Sequence, residues 1–380
     1  MEILRTSFLL LSIGGAWKPR GWRGVKAFLY YIYQYSIIFA NHVFIISGVL
    51  DLQFKNIDTH VLIDNLTLLM AMVIGRQKIA CFISKREDIK SIIDSFKKAP
   101  FKPISSEEEV IARRFDGIAK SIFVSYTGTI LCAATLFSGS REGVMDPPYH
   151  LPYSGWFPYN YTNPKIYWAT AGLQMYGIYS TAAVDLAFDP LMSAVFCHLC
   201  AQIHILKHRF GVMVTKLEDV SRLKDNMAAQ ECQLTAEWVE YHIDVITLIK
   251  FMNKIFSSII FVQYTVSSVI LCTLAFLMSH TKGLSMEFVG YSGFLTTKCF
   301  QVFLPCFCAD MLTYELLNIT SGIYGSNWFN LSNSLRKSVV IIMSKCHKPI
   351  LITSSFFIVL NLESFTKIIK LAYTIYNVLP

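Results

Sequence analysis

The chain has 380 residues, 53% of them hydrophobic and 16% charged, with a mean hydropathy of +0.44 and a formal net charge of +8. Soluble domains seldom carry this much apolar surface, so an ordinary soluble enzyme is excluded and an integral membrane protein is indicated. The cations sit between the apolar runs, which reads as loop asymmetry rather than a nucleic-acid surface.

In chain order, the first apolar run is "SFLLLSIGGAW", Ser7 to Trp17. It is too short to span, has no small-x-small cleavage site, and is followed by the basic "WKPRGWRG". It reads as a short helix near the inner membrane face. A spanning helix needs about 20 apolar residues. Two charge-free runs meet this cleanly, Ala27 to Leu50 and Ile255 to Thr281, and Ser121 to Ser140 and Ile166 to Val184 also lack charge. Val61 to Ser84, Glu287 to Ala309 and Ile350 to Leu379 are apolar but impure. The expectation is an all-α membrane protein of seven transmembrane helices, forming a single domain over residues 1–380.

Lys and Arg orient the spans, because cytoplasmic loops hold an excess of them. The N-terminal segment and residues 76–120, 207–254 and 311–348 hold 27, whereas 51–60, 141–167 and 280–286 hold four: Lys55, Arg141, Lys165 and Lys282. The N-terminus is therefore expected in the cytoplasm and the C-terminus outside. Loop 141–167 is rich in Pro, Gly and Tyr, and its Asn160-Tyr-Thr162 sequon lies on the side where glycans are added. None of the ten cysteines falls in an outside loop, so no extracellular disulfide framework is expected.

Residues 207–254 carry two helical stripes. One is Leu206, Phe210, Met213, Leu217 and Val220; the other is Leu234, Trp238, Tyr241, Val245, Leu248 and Met252, beyond a polar turn near Arg222 to Gln233. The fourth and fifth spans thus continue into the cytoplasm as an amphipathic hairpin. With a third inside helix in 328–348, it forms an anchor whose apolar faces pack together or between subunits.

Cys197, Cys200, His204 and His208 share one helix face, but four ligands strung along a straight helix do not converge on one tetrahedral metal, so no metal site is assigned. Cys306 and Cys308 read as buried small apolar groups. Asp185 and Asp189-Pro190 lie late in the fourth span, where a helix kink with a solvated or paired acid stands beside a functional role. Lys298 either snorkels or points inward. No HExxH, GxxxxGK[ST], GxSxG or dinucleotide fingerprint occurs, so neither an enzyme nor a cofactor is expected.

The last segment raises a different question. Glu363, Lys367, Lys370, Thr374 and Asn377 recur every three or four residues, which makes one polar stripe on an otherwise apolar helix. Such a stripe must face protein or water. It is either a polar seam inside a monomeric bundle or, in several copies around an axis, the lining of a pore with Val378 and Leu379 as an apolar constriction.

Four pieces of the sequence resemble the insect odorant receptor family: "SIGGAWKP", "IYGSNWFNLS", "RKSVVIIMSKCHKPILITSSFF" and the closing "LNLESFTKIIKLAYTIYNVL". "TIYNVLP" lacks the Q-F of the related gustatory receptors, and the D/E-R-Y and N-P-x-x-Y of G-protein-coupled receptors are absent. Inverted repeats that would favour a small-solute carrier are not seen. The resemblance implies a ligand-gated non-selective cation channel in the plasma membrane of olfactory sensory neurons. It implies a heterotetramer with a shared co-receptor subunit, small volatile ligands, and no nucleic-acid partner. It makes the last helix, about 361–379, the pore helix, with Lys367, Lys370, Thr374 and Asn377 along it and Val378 at the gate. It places the ligand in the outer half of the bundle, where the candidates are Leu69, Met72, Phe137, Gln174, Met175, Tyr179, Phe288, Tyr291 and Phe294.

Overall fold

The computed structural model describes residues 2–19, 21–54, 59–139, 151–223, 227–281, 283, 285–347, 350–354 and 358–378. Its helices are α1 (Glu2–Ile13), α2 (Val25–Phe54), α3 (Thr59–Ser84), α4 (Arg86–Ser95), α5 (Ser106–Gly139), α6 (Pro164–Leu223), α7 (Met227–His280), α8 (Met286–Tyr324), α9 (Asn333–Cys346) and α10 (Leu362–Val378). Among the described residues α2, α3, α5, α6, α7 and α8 are long and apolar enough to cross a bilayer, and α10, of 17 residues, is the shorter element at the place of the expected seventh span.

The central element is α6. Its 60 residues extend about 90 Å at 1.5 Å per residue, roughly three times a bilayer's hydrocarbon thickness. The helix runs through Pro190, and residues 187 to 203 are buried without a break. A helix apolar on all faces must be surrounded. Here α1, α2, α3, α5, α7 and α8 all contact α6. The two stripes expected in 207–254 meet as α6 packs on α7: Phe210, Met213 and Leu217 are buried, as are Trp238, Tyr241 and Val245. Trp238 Nε1 donates to the carbonyl of Leu206 at 2.9 Å, and the side chain of Val220 lies outside the described residues.

Three expectations need correction. Residues 227–233 are helical, so the turn between the stripes is shorter than the polar composition suggested. Among the described residues, the segment starting at Ile350 is not helical until Leu362. Thr353–Ser354 and Ile358–Val359 form a short antiparallel pair, β1 and β2. That pair is tied to α7, with Ser257 Oγ donating to the carbonyl of Thr353 and Ser354 Oγ to that of Ser257, both at 3.2 Å. Third, Lys78, counted among the inside loop cations, is wholly buried in the bundle.

The N-terminal helix packs into the bundle rather than lying beside it. Leu11 and Trp17 are core residues, and α1 contacts α6. The two glycines of "SIGGAW" allow this. A Cβ on Gly14 would meet Val184 Cγ2 at 2.6 Å, and Gly15 sits at φ +70°, a region that L side chains rarely adopt.

Lys78 lies at a junction that joins five helices. Its Nζ donates to Asp185 Oδ1 at 2.7 Å and to Asp189 Oδ2 at 3.0 Å. Asp189 also accepts from Tyr126 of α5, from Gln263 Nε2 of α7 at 3.0 Å and from Gln301 Nε2 of α8 at 3.3 Å. Gln301 Oε1 in turn accepts from Lys298 Nζ at 2.7 Å, so Lys298 points inward. Asp185 and Asp189 of α6 are therefore paired. Replacing Asp189 with alanine removes the acceptor that buried donors on four neighbouring helices share. Breaking a buried pair costs on the order of 3–5 kcal/mol. Asp189→Ala is expected to lower the thermal unfolding midpoint of the detergent-solubilised protein sharply, and Asp189→Asn less so. An unchanged midpoint for Asp189→Ala would contradict the junction's role.

Candidate functional site

The nine residues predicted for the ligand do not form one patch. Helix α3 divides them. On one side Leu69 and Met72 pack with Phe44 of α2, against Tyr153 of the segment between α5 and α6 and Ile178 of α6. Gln174 is buried near them and its Nε2 donates to the carbonyl of Tyr153 at 3.0 Å. On the other side Tyr291 is buried with Ile74 of α3 and Ile270, Leu274 and Leu277 of α7, and Phe294 packs against the group. Tyr291 also sits edge-on to His60, 6.4 Å between ring centres. Both groups offer apolar and aromatic walls suited to a small, weakly polar ligand held by dispersion.

The remaining predicted residues are placed less centrally. Met175 and Phe288 are half-buried, and Tyr179 is 66% exposed on the outward face of α6. The side chain of Phe137 lies outside the described residues. Two surface cavities, of about 420 and 360 Å³, are lined by none of the nine. Gly48 and Gly75 bring helices close enough to separate the two groups. A Cβ on Gly48 would meet Leu69 at 2.5 Å, and one on Gly75 would meet Thr181 at 2.0 Å.

The stripe on α10 is exposed along its length. Glu363 and Lys367 pair at 2.8 Å in full view of the surroundings, Lys370, Thr374 and Asn377 are exposed, and Val378 is 69% exposed. The opposite face is fixed: Ile368 and Ala372 are buried against Leu271 of α7 and Val302 of α8. The seam reading, with the stripe turned into this chain's own bundle, does not fit that placement. Outward with the stripe are Leu371, Tyr373 and Tyr376.

The four residues weighed as metal ligands disperse to separate neighbours. Cys197 and Cys200 are buried, His204 Nε2 lies 2.9 Å from Glu315, and His208 Nε2 lies 3.4 Å from Glu107. Sequence reasoning passed over Tyr126, Gln263 and Gln301. The available signal was a lysine in the second span opposite two acids in the fourth, which must find each other or water.

A family model described as 7tm Odorant receptor matches residues 58–373. The chain belongs to the odorant receptor family. Among its curated relatives, Odorant receptor 94a of Drosophila melanogaster is 24% identical over 80% of this chain and 76% of its own length. Odorant receptor 67c of the same species is 23% identical over 100% and 95%. The fold matches the insect olfactory receptor OR5 from Machilis hrabei, solved in complex with eugenol, with a TM-score of 0.84 at 15% identity, covering 100% of this chain and 97% of that one. As an odorant receptor of this fold the chain is a multi-pass membrane protein.

The division by α3 yields a direct test. Losing a buried aromatic or aliphatic contact costs about 1–3 kcal/mol, which is roughly ten- to a hundredfold in affinity. Tyr291→Ala and Leu69→Ala are each compared with the unmodified receptor for ligand concentration dependence at matched surface expression. The variant in the occupied group is expected to shift by that amount and the other by little. If neither shifts, nor Phe137→Ala, the ligand lies elsewhere.

Proposed function

We propose that this odorant receptor is the odour-binding subunit of a ligand-gated, non-selective cation channel. It assembles as a heterotetramer with a co-receptor subunit in the plasma membrane of olfactory sensory neurons. The ligand is a small volatile organic molecule, held in the outer half of the bundle by one of the two aromatic groups beside α3. The eugenol bound by the Machilis receptor, a small phenol, belongs to the same chemical class.

The observation that carries this reading is the orientation of α10. Its apolar face is committed to α7 and α8, and its polar stripe has no partner helix among the described residues. Among the described residues, then, no helix covers the stripe, and lipid is a poor surrounding for Glu363, Lys367 and Lys370. Four copies around an axis bring the stripes together on water, with charges in the inner half and Val378 near the outer end as an apolar ring that gates by dewetting. Segments 207–254 and 328–348 serve as the anchor between subunits, and 361–379 as the pore helix.

Cysteines placed at positions 367, 370, 374 and 377, in a background freed of the exposed Cys132 and Cys232, are expected to react with a charged thiol reagent when ligand is present. Positions 368 and 372, on the face buried against α7 and α8, are expected to be protected. Reactivity without a helical period would remove the pore assignment. Val378→Ala is expected to raise ligand-free current at fixed subunit stoichiometry.

The orientation has its own check. Asn160 is exposed, and its Oδ1 accepts from the backbone N–H of Thr162 at 3.0 Å. It is expected to carry a glycan, and Asn65, Asn318 and Asn330 none. A glycan on Asn330 would invert the topology.

A further inference from the structure

At the foot of α2 a cavity of about 360 Å³ is lined by four cations, Lys18, Arg23, Arg86 and Lys90, and one acid, Glu87. Two chain segments far apart in sequence supply them: the stretch between α1 and α2, and the start of α4. Their convergence is held in place. Arg86 Nη2 donates to the carbonyl of Lys18 at 2.8 Å, and its guanidinium lies 5.0 Å from the ring of Trp17, which is a core residue. Lys18 Nζ donates to the hydroxyl of Tyr31 at 3.2 Å. Glu87 neutralises one cation by pairing with Lys90 at 3.1 Å, and Arg23 has no ion pair among the described residues. A net positive charge of about three is thus concentrated in one concavity, and a positive hollow of that kind raises the local concentration of anions.

What lies beside the hollow identifies the anion. Above it on α2, Phe28, Ile32, Tyr35, Phe39 and Ile46 are exposed along one face. From Phe28 to Phe39 that face is apolar for about 17 Å, the depth of one leaflet, and has no partner among the described residues, which makes it lipid-facing; the next residue along it, His42, is exposed with Arg76 of α3 at 3.5 Å. Trp22, on the cavity wall, is half-exposed and rests edge-on against Tyr30 at 6.0 Å, in the manner of an aromatic residue at the level of lipid headgroups. A hydrocarbon-facing stripe that ends at its foot in an aromatic rim and a cationic cup matches the shape of a phospholipid, with chains along α2 and head in the cup.

We propose that this cavity binds the headgroup of a multiply charged anionic phospholipid, of the phosphoinositide class, with its acyl chains along the exposed face of α2. Several converging cations favour several phosphate charges over a single one. In the orientation proposed above, the lipid belongs to the inner leaflet. The site is independent of the odour pocket and of the α10 stripe.

The test uses the full-length receptor complex in nanodiscs, which expose both leaflets, so an inverted orientation leaves binding unchanged. A photoreactive phosphoinositide with its label in the headgroup is expected to cross-link within residues 17–26 and 86–90. Competing vesicles that contain phosphoinositide are expected to displace it more strongly than vesicles of phosphatidylserine, and vesicles of phosphatidylcholine not at all. The double variant Arg23→Gln with Lys90→Gln is expected to weaken labelling at least tenfold, at about fivefold per charge. Glu87→Gln, which removes the opposing charge, is expected to strengthen it. A control pair of exposed cations outside the cavity, Lys97→Gln with Lys102→Gln, is expected to leave labelling unchanged. Equal loss in the control pair would mean diffuse surface charge and overturn the site. Equal competition by phosphatidylserine would overturn the multiply charged headgroup, and full competition by a soluble inositol phosphate at equal concentration would overturn the contribution of the acyl chains.

Discussion

The bundle depends on one constraint: a charge that enters a bilayer-spanning helix must be matched inside the protein. Asp189 meets it by accepting from Lys78, Tyr126, Gln263 and Gln301, which belong to α3, α5, α7 and α8. Apolar packing alone lets helices slide and rotate at small cost, because lipid is as apolar as leucine. A hub of directed bonds does not. It sets the rotation of each helix and its height against α6. An unmatched member would cost several kcal/mol, which is of the order of a whole domain's stability.

With the helix heights fixed, the glycines set how closely they approach. Gly75 lets α3 touch α6 at Thr181, and Gly48 lets α2 touch α3 at Leu69. Thr181 then donates to Asn41 Oδ1 at 2.7 Å, a second polar tie between α6 and α2. The aromatic groups on the two sides of α3 are consequences of this packing, since α3 is held too close to α2 and α6 to leave one continuous chamber. The walls around Tyr291 and around Leu69 differ in kind. The first has an imidazole and a phenol in contact, and the second has an amide bound to a backbone carbonyl.

Much of this was legible in the sequence, because a long apolar run and a three-to-four residue period are local properties. The α6–α7 stripes were readable for that reason, as was the polar stripe on α10. The hub was not, because its partners lie between 63 and 112 residues apart and nothing local marks Gln263 or Gln301 as different from any other glutamine. Lys78 misled the loop count, since a lysine near a span end has the same local sequence whether it enters water or a buried acid pair. The apolar composition of residues 350–361 suggested helix. Among its described residues the ladder between β1 and β2 and the bond from Ser257 Oγ to the carbonyl of Thr353 engage backbone groups instead.

The attachment of α10 is lopsided. Its polar ties to the rest of the chain gather at its beginning: the β1–β2 pair is bonded to Ser257, and Tyr264 donates to the carbonyl of Ser364 at 2.8 Å. Apolar contacts reach as far as Ala372, and beyond it Tyr373, Thr374, Tyr376, Asn377 and Val378 are exposed. A rod clamped at one end and loose at the other behaves as a hinged leaf. A small rotation of α7 at the clamp sweeps the free tip through a larger arc, so the end with the fewest contacts is also the end that travels farthest.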